Sequence, residues 1–251
     1  MGYYQLPAAN CESTPKPFMT ASIIAIDGPV ASGKSSIGKR LAERLDYLFF
    51  DTGVMYRAVT FLALRELGSA QDAAAVTALA RRAHIDILPP TLADGRDSTI
   101  LAGFGAPAES AVAHEDITWA SRGKDVENNV SLVAAVPEVR AILTEQMRRV
   151  GLRGRVVMVG RDVGTVILPE AGLKIFLTAS AETRAQRRFE EVAGRGEARD
   201  HADILTNLRE RDRIDSSRAV APLRSAPDAV VLDTTDLSLE QVLDRIQALV
   251  A

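Results

Sequence analysis

The sequence predicts an α/β protein: a five-stranded parallel sheet with helices on both faces. Three observations carry that prediction. Five short apolar runs recur along the 251 residues, at Ile23–Ile26, Tyr47–Phe50, Val156–Val159, Lys174–Leu177 and Ala229–Leu232. Each is bounded by Gly, Asp, Ser or Thr and followed by helical spacing, an alternation that requires crossover helices and buries both sheet faces. The composition, 47% apolar and 25% charged, is that of a globular chain long enough to bury a full core.

The elements follow in order. Residues 1–20 are expected to form a disordered tail, since Met1 to Pro17 holds three prolines and no periodicity. The first apolar run leads through a Gly-rich loop into helical spacing from Ser36 to Leu45. The second precedes a further cluster of Gly, Arg and carboxylate. The regularity then breaks between about 73 and 153, where we expect an inserted subdomain. It opens with an alanine-rich helix, Ala73 to Ala83, and a short run at Ile85–Leu88 that Pro89-Pro90 stops. Asp94-Gly95 and Ser98–Leu101 suggest a small hairpin. After a polar stretch to Arg122 come two helical segments, the second opening at Pro137. The last helix starts with a capping box, Ser238-x-x-Gln241, and carries Leu239, Val242, Leu243, Ile246 and Leu249 at helical spacing.

Charge and cysteine usage exclude several classes. Lys+Arg 30 against Asp+Glu 33 gives a net charge of −3, whereas a nucleic-acid binder carries a basic excess. Aromatics at 5% leave few platforms for stacking bases. The single cysteine, Cys11, can make neither an internal disulfide nor a thiolate cluster, which fits a reducing cytoplasm. No apolar run is long enough to span a bilayer, and no basic-then-apolar leader is visible. The expectation is a cytoplasmic monomer with no nucleic-acid or membrane partner.

Gly28-Pro29-Val30-Ala31-Ser32-Gly33-Lys34-Ser35 fits G-x-x-x-x-G-K-[ST] at every specified position, after a strand and before a helix. Glycines let backbone N–H groups converge on phosphate oxygens, and the helix N-terminus favours negative charge. Lys34 can reach the β- and γ-phosphates, and Ser35 can ligate Mg²⁺. The Asp-x-x-Gly and Asn-Lys-x-Asp strings of GTPase switches are absent, as is a strand ending in Asp-Glu. Elimination favours a small-molecule kinase.

Arginine is the second signal. Of 25 arginines, ten lie between Arg184 and Arg224, and the planar guanidinium suits phosphate oxygens. Arg184, Arg187 and Arg188 share a helix that leads to Gly194-Arg195-Gly196, which reads as a lid over about 184–213. Arg184 and Arg188, one turn apart on one face, are the catalytic candidates beside Lys34. On composition alone, the i,i+3 and i,i+4 pairs from Glu210 to Arg218 read first as ion pairs on a solvated helix. Asp51–Arg57 and Gly160–Thr165 sit at strand ends, where α/β proteins place ligands.

IDGPVASGKSS, DTGVMYRAV, NNVSLVAAVPEVR, GRDVGTVILPEAGLKIFLTASAETRAQRR and ERDRIDSSRAVAPL, in that order, make the chain resemble the bacterial-type cytidylate kinases of the nucleoside monophosphate kinase group. The resemblance runs from about Ala21 to the C-terminus and implies one kinase domain over 21–251, with a P-loop core, an inserted acceptor-nucleotide subdomain and a short lid. It implies transfer of phosphate from ATP to CMP or dCMP with Mg²⁺. Gly28 through Ser36 would hold the ATP phosphates. Thr52, Tyr56, Arg57, Arg161, Arg211, Asp215 and Arg218 would bind the nucleotide's phosphate and sugar, and Ser131, Arg140 and Asp162 would read cytosine. Three features depart from the pattern: Val159 replaces the usual carboxylate before Gly-Arg-Asp, the stretch from Gly103 to Arg122 is long, and the tail has no counterpart. Valine offers no acceptor to Mg²⁺ waters, so weaker metal organisation is expected, with Asp27 or Asp51 as substitute. A UMP-preferring kinase and a nucleotide-binding module without turnover are the alternatives.

Overall fold

The computed structural model describes residues 21–104, 114–194, 198–218 and 220–250. The expected tail with Cys11, the middle of the long 103–122 stretch, and Arg195-Gly196 lie outside the described residues.

The five apolar runs form the five strands of one parallel sheet: β1 (Ile23–Asp27), β2 (Leu48–Asp51), β6 (Val156–Gly160), β7 (Leu173–Thr178) and β8 (Val230–Asp233), in the order β2-β6-β1-β7-β8. Side chains alternate between its faces. Ile24, Ile26, Val157, Val159, Ile175 and Leu177 pack under α1 (Lys34–Leu45) and α8 (Leu239–Val250). Ala25, Phe50, Val156 and Met158 face the other layer, which holds α2 (Gly53–Leu67) and α5 (Pro137–Gly151).

That second layer continues into the irregular region. Helix α3 (Ala73–Arg82) starts at Asp72, whose side chain accepts from the N–H groups of Ala74 and Ala75. The expected hairpin pairs β3 (Ala83–Leu88) with β4 (Thr99–Phe104), and a two-residue β5 (Glu115–Asp116) adds an edge that the sequence pattern did not signal. Arg96, in the β3–β4 loop, is buried and pins that loop to the third strand, bonding Asp94 at 2.6 and 2.8 Å and Asp116 at 2.5 Å. Ile85, Ile87, Ile100 and Ile117 join the same apolar cluster as Leu143 and Met147 of α5. Helix α4 (Lys124–Ala135) precedes α5, and Pro137 occupies the first turn of α5 as expected.

Helices α6 (Ala181–Gly194) and α7 (His201–Ser217) lie between β7 and β8. The capping box of α8 is reciprocal: Ser238 N–H donates to Gln241 Oε1 at 2.9 Å, and Gln241 N–H to Ser238 Oγ at 3.3 Å.

Candidate active site

A cleft of about 800 Å³ opens at the C-terminal ends of the strands, its floor formed by residues 30–37. The loop needs glycine at its start, because a Cβ on Gly28 would stand 2.2 Å from the Leu177 carbonyl oxygen. Gly33 turns the chain into α1 at φ +89. Pro29 presents its carbonyl to Lys34 Nζ at 2.7 Å. Burial, with the charge of Arg161, pushes the Lys34 ammonium well below the usual lysine range.

Ser35 Oγ donates to Asp51 Oδ2 at 3.1 Å, so the ends of β2 and the loop present two hard oxygens side by side. Such a pair fits Mg²⁺, which takes most of its ligands from phosphate and water. Among the described residues, no three His, Cys, Asp or Glu side chains gather into a metal cluster. Asp27 is committed elsewhere: it accepts the N–H groups of Val163 and Gly164 at 2.8 and 2.7 Å and so fixes the turn after β6. Its burial raises its pKa to about 6.

The facing wall joins α5 to that turn. Arg140 donates to Asp162 Oδ2 at 3.0 Å, and both side chains are about nine-tenths buried. The guanidinium lies 5.5 Å from the centroid of the Tyr56 ring, whose hydroxyl burial pushes up to about 12. Desolvation also raises the Asp162 carboxyl, against the pull of Arg140. Thr52 Oγ1 donates to the Val159 carbonyl at 3.0 Å, closing the corner between β2 and β6. Two buried groups bordering the cleft, Ser32 Oγ and Arg140 Nε, have no hydrogen-bond partner among the described residues. Buried polar atoms left unpaired are few in folded proteins; a third, Thr165 Oγ1, lies off the cleft lining.

Arginines stand between floor and wall. Asp215, buried on α7, takes Arg161 Nε on one oxygen at 2.9 Å and Arg218 on the other. Arg211 lies one turn earlier, and desolvation together with Arg161 pushes its guanidinium below the usual range. Arg188 lines the cleft from α6 and pairs with Glu191 at 2.8 Å.

Three of the expected polar side chains lie off the cleft lining. Arg57 is half-buried on α2 and Ser131 exposed on α4, and neither lines the cleft. Arg184 is not on the cleft wall; it is buried behind the loop tip, bonded to Val30 O, Ala179 O and Asp212. Val159 is fully buried against α1 and Phe49; it is the register partner of Asp51, whose carboxylate beside Ser35 takes the place expected of a substitute for the missing acidic residue. The sequence reading missed the end of the cleft bounded by Arg187, Thr234 and Leu237. Arg187 donates to Thr234 Oγ1 at 3.0 Å and to its carbonyl at 2.6 Å. The available signal was the strand-end position of Thr234.

A parallel sheet with a glycine-built phosphate cradle at its strand ends, facing an arginine-lined wall, defines a P-loop phosphotransferase. The family model for cytidylate kinase matches residues 24–251. The cytidylate kinase of Herpetosiphon aurantiacus is 46% identical over 231 residues, 92% of this chain and 95% of that one. Those of Anoxybacillus flavithermus and Geobacillus kaustophilus are 44% and 45% identical over 227 residues, 90% of this chain and 95% of each relative. The chain belongs to the cytidylate kinase family.

Proposed function

We propose that the protein transfers the γ-phosphoryl group of ATP to CMP or dCMP, giving ADP and CDP or dCDP. The observation that carries this reading is the buried Arg140–Asp162 pair, which faces the loop Gly28–Ser36 across one cleft. Cytosine offers an N4 donor beside N3 and O2 acceptors, so a carboxylate and a guanidinium match its edge. Uracil would set an oxygen against Asp162.

Backbone N–H groups of the cradle and Lys34 hold the ATP phosphates in this reading. Mg²⁺ held by Ser35 and Asp51 would neutralise phosphate charge there. Arg161, Arg211 and Arg218 take the CMP phosphate, Thr52 and Tyr56 bound its sugar side, and Arg188 faces the transferred group from the 184–213 lid. A phosphate monoester with a second pKa of about 6 is largely dianionic at pH 7 and already nucleophilic. The side chains therefore orient and neutralise, and none is needed as a general base. The insert, residues 73–153, delivers Arg140. We place the activity in the cytoplasm, in a monomer.

The test is ADP release with CMP, dCMP, UMP, AMP and shikimate as acceptors. CMP and dCMP should dominate. Equal turnover of UMP would overturn the assignment of the base-reading wall, and ATP binding without turnover of any acceptor would leave a binding module.

A further inference from the structure

The tip of the phosphate loop is braced from outside the cleft. Val30 and Ala31 pack on a small apolar cluster of Ala185, Ile204 and Leu208, contributed by α6 and α7. Above that contact, Arg184 donates from Nη1 to the Val30 carbonyl at 3.1 Å, and from Nε to the Ala179 carbonyl at 3.0 Å. Asp212 of α7 closes the arrangement as a two-pronged acceptor, its oxygens 3.2 and 2.6 Å from Nη1 and Nη2. Four of the five guanidinium N–H groups are thus engaged. The Arg184 side chain is 6% exposed and Asp212 25%. An arginine so held is an anchor.

What it anchors is specific. The carbonyl that Arg184 grips belongs to the peptide between Val30 and Ala31, and Ala31 sits at φ +58. A residue with a Cβ adopts that left-handed backbone only when its surroundings hold it there. The same peptide carries the Ala31 N–H, whose direction into or out of the cradle is set by the rotation that Arg184 fixes. Asp212 fixes Arg184 by a charge-assisted fork, the geometry that arginine and carboxylate match best.

We propose that Asp212 is a positioning residue for the ATP phosphate cradle. It acts through Arg184 on the Val30–Ala31 peptide and touches no nucleotide. The inference rests on the reading of the cradle as an ATP site. The brace meets the donor loop directly and makes no bond to the Arg140–Asp162 wall or to Arg161, Arg211 or Arg218.

Dissociation constants for ATP and for CMP, with the KM of each, test the inference on the wild-type protein and on Asp212→Ala, Asp212→Glu and Arg184→Lys. Asp212→Ala should weaken ATP about tenfold, the scale of a lost hydrogen bond to a charged group, while CMP binding stays within about twofold, as for an uncoupled site. Asp212→Glu should recover part of the loss. Combining Asp212→Ala with Arg184→Lys should cost no more than the larger single effect, since both cut one chain of contacts. Unchanged or tighter ATP binding by folded Asp212→Ala overturns the proposal, and so does an equal loss for both nucleotides. If that variant does not fold, Asp212→Asn keeps the shape and one acceptor, and the same split of the two constants decides. A wild-type protein that binds ATP yet leaves CMP unphosphorylated would defeat the kinase reading alone, with the ATP constants still deciding the brace.

Discussion

Arg140 Nη2 and Asp162 Oδ2 meet at 3.0 Å although one residue rides on α5 and the other follows strand β6, next to the central β1. Burying both charges is costly, and their pairing offsets that cost only while each keeps its partner. Arg140 Nε has no partner among the described residues beside the cleft, so the pair is poised to recognise something as well as to hold the wall together.

Asp162→Asn is therefore expected to narrow the preference for CMP over UMP. The amide keeps an oxygen for Arg140 and offers a donor to uracil O4. Removing one base-edge contact costs about 1–3 kcal/mol of discrimination, so the ratio of kcat/KM for the two nucleotides should fall about 10- to 100-fold. A ratio that does not move would mean that Asp162 does not read the base.

Lys34→Ala should lower kcat by about 10²–10³-fold, the usual loss on removing one group that stabilises transition-state charge. Folding should not suffer. The ammonium is buried, with the Pro29 carbonyl as its one hydrogen-bond partner among the described residues, and desolvation already works against its charge. Melting curves beside the rate measurements check both halves; near-normal turnover would remove Lys34 from the chemistry.

Val159→Glu should unfold the protein more easily and leave its Mg²⁺ response unchanged. Val159 is completely buried, and its Cγ1 stands 2.5 Å from where a Cβ on Gly38 would lie. A carboxylate there would have no hydrogen-bond partner, a loss of several kcal/mol or a forced protonation. Gly38→Ala probes the same contact from the helix side and should cost about 1–3 kcal/mol by overpacking. Mg²⁺ titrations and melting temperatures on both variants would show it; a lower half-saturating Mg²⁺ concentration for Val159→Glu would contradict the packing account.

These cases mark what the sequence could convey. The five strands were readable because a parallel strand buried on both faces leaves a continuous apolar run, as Val156–Val159 does. The cradle was readable because Gly28 leaves no room for a Cβ beside the Leu177 carbonyl and Gly33 turns the chain at φ +89. The packing of Val159 was not readable: parity puts it on the face of Val157, under α1, while Met158 faces the other layer, but its contact with Phe49 and Gly38 is set by tertiary packing that strand spacing does not show. Arg184 and Arg188 do share one helix face, but helical spacing does not reveal that Asp212, 28 residues away, captures the first of them. Arg96 was invisible for the same reason, since its partner Asp116 lies 20 residues further on. A two-residue strand such as β5 is too short to show alternation.

Asp27 supplies a pH dependence whose sign is the reverse of the usual carboxylate. Burial raises its pKa from 3.8 to about 6, outweighing the two N–H groups of Gly164 and Val163 that favour its charge. Between those values the folded chain holds a proton that the unfolded chain has lost. Its contribution to stability is therefore greatest at low pH, declines as pH rises from about 4 to about 6, and is level above. Carboxyls held low by arginine, such as Asp94 and Glu170, act in the opposite sense and mainly at lower pH. Asp27→Asn removes the titration while keeping one acceptor for the turn after β6. Unfolding free energies from urea titrations, taken from about pH 4.5 to 7.5 on both proteins, isolate the effect in their difference. Wild-type stability minus that of Asp27→Asn should fall with rising pH up to about 6 and then stay constant. A difference that is flat across the window would show that the Asp27 carboxyl is not held above its ordinary range, and one that rises would show that its bonds to Val163 and Gly164 outweigh its burial.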